Sequence, residues 1–107
     1  MDMYGSRVRR TTVENRSAIA VSGPFDFNDP DIETIAREIA SEGEIDLILD
    51  FTKVTYLTSP GISCIIKMLK RTQMSGGSLY LYKPAPDMVE LLTLANIFKY
   101  LKILPSQ

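Results

Sequence analysis

Between residues 45 and 71 the spacing of apolar side chains changes from continuous to helical within a few positions. Residues 45–51 form an almost unbroken apolar run interrupted by Asp46 and Asp50, the pattern of a central strand covered on both faces. Ile62, Ile65, Ile66 and Leu69 then recur at i, i+3, i+4 and i+7, with Lys67, Lys70 and Arg71 mostly on other faces, which predicts an amphipathic helix over 59–74. Thr58, Ser59, Pro60 and Gly61 join the two. Proline holds the residue before it extended and suits the first helical position, so Ser59 reads as the N-cap and Pro60 as N1.

The same alternation extends to both sides. Residues 7–14, rich in Val and Thr but carrying Arg7, Arg9 and Arg10, predict a first strand. Residues 18–21 predict a second, joined to the first through Asn15 and Arg16 as an N-terminal hairpin. The three arginines read as a solvated edge that discourages pairing between sheets. After a polar and aromatic loop over 25–29, Asp29 as N-cap and Pro30 as N1 open a helix to about Ser41, with Ile32, Ile35, Ala36 and Ile39 inward and Gly43 after its end. Residues 78–82 predict a strand with Tyr80 and Tyr82 on one side and Leu79 and Leu81 on the other. A helix over about 86–95 follows, closed by Asn96 in the left-handed region. Residues 97–104 predict a last short strand or helical stub before Pro105. This order implies an α/β fold: a mixed β-sheet of about five strands, built from the hairpin and β-α-β crossovers, with about three to four helices.

Composition narrows the chemistry. A chain of 107 residues with 45% apolar content supports one core, so residues 1–107 are expected to form a single domain. Twelve basic and 13 acidic residues leave a formal charge of −1, which gives no field favouring nucleic acid or an anionic membrane. No apolar run approaches the roughly 20 residues of a membrane span, and the N-terminus lacks the order of a signal peptide. Cys64 is the only cysteine, which fits a reducing, cytoplasmic setting. Histidine is absent, so the usual zinc sites and any Ser-His or Cys-His nucleophile pair are excluded. Gly76 and Gly77 stand alone, with no phosphate-cradling loop around them. Neither an enzyme nor a metal or cofactor site is expected. Cys64 and Met68, four apart, should fill a flank of the core, the thiol having no partner to activate it.

The run from Leu47 to Asp50, the turn Tyr56-Leu57-Thr58-Ser59-Pro60-Gly61-Ile62 and the helix after it resemble bacterial anti-sigma factor antagonists, which are small STAS domains. In that family the turn usually reads aromatic, apolar, Asp, Ser, Ser or Thr, Gly, Leu. Its first Ser is phosphorylated by a partner kinase that is also the anti-sigma factor. Position by position, that Ser is Ser59. Gly23, Pro24, Phe25 and Asp26 sit where the family has a Gly-x-apolar-Asp turn after its second strand, and residues 91–99 look like its helix-to-final-strand segment. Two positions depart from the pattern. Thr58 replaces the usual Asp and becomes an alternative acceptor, and Pro60 replaces Ser or Thr and removes a backbone N–H.

The resemblance implies a STAS fold and a phosphorylation switch. Unmodified, the chain would dock onto a serine-kinase-type anti-sigma factor through Phe25, Asp26, Thr58, Ser59, Pro60, Gly61 and Ser63. Phosphorylation of Ser59, less so of Thr58, would end that contact, and a PP2C-like phosphatase could reverse it. The chain would thereby regulate transcription as a monomer or weak homodimer, touching neither nucleic acid nor membrane. A phosphate would bring roughly −1.5 to −2 charges to the helix N-terminus, where the N–H groups of Gly61 and Ile62 could meet it. Ser59 also has a plain explanation, since an N-cap serine stabilises a fold by about 1 kcal/mol and need do nothing else. Thr58 and Pro60 favour a second role, a constitutive STAS adaptor or scaffold subunit of a transporter or signalling complex without a phosphate cycle.

Overall fold

The apolar run beginning at Leu47 becomes the centre of a five-stranded sheet in the computed structural model, which describes residues 7–27 and 29–105. The elements are β1 (Val8–Val13), β2 (Arg16–Phe25), α1 (Pro30–Ser41), β3 (Leu47–Leu57), α2 (Ser59–Met74), β4 (Leu79–Tyr82), α3 (Pro86–Leu94), a 3₁₀ turn (Phe98–Tyr100) and β5 (Lys102–Leu104). Strand order follows the chain, β1-β2-β3-β4-β5. The first pair is antiparallel and the others are parallel, joined through α1, α2 and α3. This is the mixed α/β architecture expected from the alternation of strand and helix.

Strand periodicity divides the sheet into unequal faces. Leu47, Leu49 and Phe51 of β3 and Leu79 and Leu81 of β4 pack with the inward residues of all three α-helices in one large core. Ile48 points the other way and joins Val13, Ala18 and Leu104 in a small second cluster against which Tyr80 and Tyr82 pack. The continuous run at 47–49 therefore has apolar cover on both faces, but helices supply it on only one. On the second face the Arg16 guanidinium lies 4.8 Å from the Tyr80 ring centre, so aromatic and cationic side chains replace a second helical layer.

Several local expectations change. The hairpin turns on Glu14 and Asn15, with φ of 52° and 63°, rather than on Asn15 and Arg16. Positive φ at both central residues is the type I′ signature that matches strand twist. Both β2 and β3 extend well past their apolar runs, reaching a last register pair of Phe25 with Leu57 across two irregularities in the ladder. Beyond Asp50 and Tyr82 β3 has no further β4 partner, and Thr52, Lys53, Thr55 and Tyr56 are exposed. The polar sequence there hid a strand held mainly from one side.

Two of the three arginines expected on a solvated edge, Arg7 and Arg10, are instead committed to partners. Arg10 Nη1 donates to Glu42 Oε2 at 2.7 Å, tying β1 to the end of α1. That hydrogen bond, more than the accompanying charge attraction, holds the Glu42 carboxyl below its ordinary range. Arg7 donates to the Pro24 carbonyl and to Asp26 Oδ1, the latter at 2.9 Å.

Asp46, which breaks the apolar run, clamps the start of β4. Its Oδ1 accepts the Ser78 N–H at 2.8 Å and its Oδ2 meets Arg16 at 3.1 Å. Close by, a Cβ on Gly77 would stand 2.0 Å from the Ile45 carbonyl oxygen, so this crossing requires glycine. Asp46→Ala should cost about 1–3 kcal/mol by stranding the Ser78 donor. The expected readout is a lower urea midpoint at an unchanged m-value; an unmoved midpoint would remove the clamp from the picture.

Candidate functional site

The site forms where β2 and β3 end side by side. Phe25 pairs with Leu57, and the next N–H, that of Thr58, donates to the Phe25 carbonyl at 3.2 Å. Thr58 is still extended, with φ −122° and ψ 176°. Its own carbonyl accepts the Ile62 N–H at 2.9 Å, the first turn of α2.

Thr58 is therefore the N-cap, Ser59 is N1 and Pro60 is N2, one residue earlier than the proline suggested. Proline is tolerated at either first-turn position because those N–H groups have no intrahelical acceptor. Neither hydroxyl caps in the usual way. Thr58 makes no side-chain cap bond, and its Oγ1 lies 3.5 Å from the Phe25 carbonyl oxygen, at the outer limit of a hydrogen bond. Ser59 is exposed, and among the described residues its hydroxyl has no hydrogen-bond partner. The capping explanation for Ser59 thus fails on geometry. Thr58, half-buried and turned toward Phe25, is the less accessible of the two hydroxyls.

The donor inventory follows. Thr58 N–H is used by Phe25, Ile62 N–H is used by Thr58, and Pro60 has none. Ser59 and Gly61 are the first-turn positions whose N–H groups stay available, rather than Gly61 and Ile62.

Gly61 is buried, and a Cβ there would stand 2.0 Å from the Phe25 carbonyl oxygen and 2.9 Å from Leu57 Cδ1. Its small size lets the chain's own β2 backbone cross the first turn of α2, leaving no surface for a partner. Phe25 is likewise corrected from a partner contact to a core residue. Its ring is 0% exposed and lies 5.6 Å from Phe27 and 5.8 Å from Phe51. Phe27 is half-buried beneath the Arg7 guanidinium, 4.0 Å from the ring centre.

Asp26, Ser59, Pro60 and Ser63 remain as the exposed members of the expected set, with Thr58 half-buried among them. Arg7 was absent from that set. It holds Asp26 at 2.9 Å from a position just before β1, 19 residues earlier, and its only sequence signal was its charge.

Further along the helix, Cys64 and Met68 pack in the core as expected, each 1% exposed. Burial, opposed in part by the charge of Lys67, pushes the Cys64 thiol up to about 11. No group of three or more His, Cys, Asp or Glu able to hold a metal occurs among the described residues. No helix of the described residues is long and apolar enough to cross a membrane.

Gly61→Ala should destabilise the fold by about 1–3 kcal/mol, the usual range for forcing extra volume into packed structure. Thermal or urea unfolding would register this, and full stability would refute the close crossing. The Cys64 thiol should resist alkylation at pH 8 until the protein unfolds. An unfolded thiol ionises near 9.0 but the folded one only near 11, so unfolding releases a proton between those values. The thiol's contribution is whole below pH 9.0 and declines toward pH 11. Cys64→Ala should lack that component of the alkaline decline; identical pH profiles would contradict the shift.

The STAS domain model matches residues 8–107. Among solved structures, the anti-sigma factor antagonist SpoIIAA in its unphosphorylated form has a TM-score of 0.66 at 14% identity, covering 92% of this chain and 89% of its own. The phosphorylated form of this Bacillus cell fate determinant gives 0.61 at 14% identity, covering 92% of each chain. A Thermotoga maritima protein named as a candidate anti-sigma factor antagonist gives 0.68 at 19% identity, covering 92% of this chain and 86% of its own. At these identities the likeness is one of fold. No curated protein matches the sequence.

Proposed function

The chain belongs to the STAS domain family, and from that premise we propose that it is an anti-sigma factor antagonist whose binding is switched off by phosphorylation of Ser59. One observation carries this. Ser59 presents an exposed hydroxyl with no structural task at the start of α2, while Thr58 occupies the cap.

Unmodified, the surface of Asp26, Ser59, Pro60 and Ser63 docks onto a serine-kinase-type anti-sigma factor and frees the sigma factor held there. The kinase brings ATP and magnesium, and this chain supplies only the acceptor oxygen and the fitted surface. Transfer of the phosphoryl group adds roughly −1.5 to −2 charges at a helix N-terminus, where the Ser59 and Gly61 N–H groups and the helix dipole favour it. The modified fold persists. Its interface does not, because a solvated dianion now stands where a neutral hydroxyl met the partner, and its bulk, charge and desolvation oppose docking. A PP2C-like phosphatase restores the binding form. All of this belongs in the cytoplasm, beside the transcription machinery.

A second reading, a constitutive STAS adaptor, is favoured by Pro60 at the second helical position, which leaves fewer N–H groups for a phosphate. Intact mass spectrometry with peptide mapping, on protein from growing and stressed cells, separates the two. The expected result is a single phosphate on Ser59 whose occupancy changes with condition. A constant unmodified mass, with a detection control in place, would establish the adaptor instead. With the purified anti-sigma factor, Ser59→Asp should bind at least about tenfold more weakly than Ser59→Ala, a loss of about 1.4 kcal/mol. Equal affinities would sink the switch.

A further inference from the structure

The exposed face of α2 does not end at the switch serine. Ser59, Ser63, Lys67 and Lys70 follow one another along it at spacings of four, four and three, all exposed. At 1.5 Å per residue they cover about 16 Å. The helix carries Lys67, Lys70 and Arg71 and no acidic residue from Ser59 to Met74.

Beside this face runs a groove between α1 and α2. Arg37 and Lys67 line its first half, and Lys67, Lys70 and Met74 its second. Arg71 is committed there to Glu33, 3.4 Å away. Arg37, Lys67 and Lys70 form no ion pair among the described residues. Elsewhere Arg7, Arg10 and Arg16 each hold a carboxylate, and Lys83, Lys99 and Lys102 each lie over a tyrosine ring. Arg9 and Lys53 also form no ion pair among the described residues and share a hollow with Asp50, so the groove differs in gathering three such cations.

We propose that the α1–α2 groove receives an acidic segment of the protein that docks at Ser59, with Arg37, Lys67 and Lys70 pairing its carboxylates. This inference rests on the Ser59 reading and extends its surface down the helix. Charge complementarity selects the occupant. Uncommitted cations on one groove of a chain with net charge −1 match spaced carboxylates. Asp29 and Glu33 line the same groove, so an occupant must place its negative charges at Arg37, Lys67 and Lys70 and keep them off these two carboxylates, which spaced carboxylates can do and a phosphate polymer charged at every unit cannot. Met74, 89% exposed at the far end, offers an apolar contact that a protein segment can use. A segment of about 11 helical or about five extended residues would span from Ser59 to Lys70.

The test measures association rates, over a range of salt, with the purified serine-kinase-type anti-sigma factor encoded in the same genome. Lys67→Glu with Lys70→Glu should slow association about ten- to a hundredfold at low salt and flatten its salt dependence. Lys67→Gln with Lys70→Gln should fall between that pair and wild type. Lys99→Glu with Lys102→Glu makes the same change in net charge at another edge and should slow association less than about twofold. Zero-length carbodiimide coupling should join Lys67 or Lys70 to acidic residues of the anti-sigma factor. The groove is refuted if both reversals slow association equally, or if neither does, while Ser59→Asp still weakens binding; the switch reading then survives alone. If the wild-type chain does not bind this anti-sigma factor at all, both readings fall.

Discussion

The carbonyl of Phe25 is the point on which the site depends. It ends β2, accepts the Thr58 N–H, and lies where any side chain at Gly61 would have to go. A single backbone oxygen thereby joins the last rung of the β2–β3 ladder to the first turn of α2. The buried Phe25 ring anchors that oxygen from below, in tilted contact with Phe51 in the core and with half-buried Phe27. Ser59 is exposed for the same reason that Gly61 is buried, since they are two residues apart on a helix held against the sheet end. Rigid support of this kind lets a small chemical change at a hydroxyl act on a partner without first remodelling the domain.

How much of this was legible in the chain depends on how local the cause was. Asp29 and Pro30 announce α1 because cap and first turn are neighbours in sequence, and the Asp29 side chain does accept the Asp31 N–H at 2.8 Å. Asn96 closes α3 at φ 63° for an equally local reason. The inward stripe of α1 appears as its spacing predicts. The start of α2 was displaced by one residue because its cap is set by which carbonyl receives the Ile62 N–H, and proline only biases that outcome. The far half of β3 was invisible because its stabilisation comes from β2, some 30 residues earlier, rather than from its own polar sequence. Arg7 and Arg10 carried a charge in the sequence but no address. Their partners lie 19 and 32 residues away. Phe25 and Phe27 could not be told apart by composition, and only the register of β2 decides that Phe25 turns inward.

Charge on this domain is segregated more by pairing than by total. With a net charge of −1, the chain as a whole attracts neither anions nor cations strongly. What distinguishes the α1–α2 groove is that it gathers three cations without an ion pair among the described residues, Arg37, Lys67 and Lys70, while most of those elsewhere have partners. In the proposed switch, Ser59 and the groove would divide the work of recognition. Unpaired cations favour encounter with an acidic partner and set its approach. The hydroxyl at the helix start would decide whether the encounter closes into a fitted contact. Such an arrangement would let one phosphate reverse the outcome while most of the attractive surface is left intact.

The most direct test is a comparison of backbone amide spectra before and after enzymatic phosphorylation of Ser59 in the intact chain. Downfield shifts at Ser59 and Gly61, with smaller changes confined to Asp26 and the first turn of α2, are expected if the phosphate sits on a preformed frame. Unmoved Ser59 and Gly61 amides, or changes spread through α1 and the sheet, would contradict it.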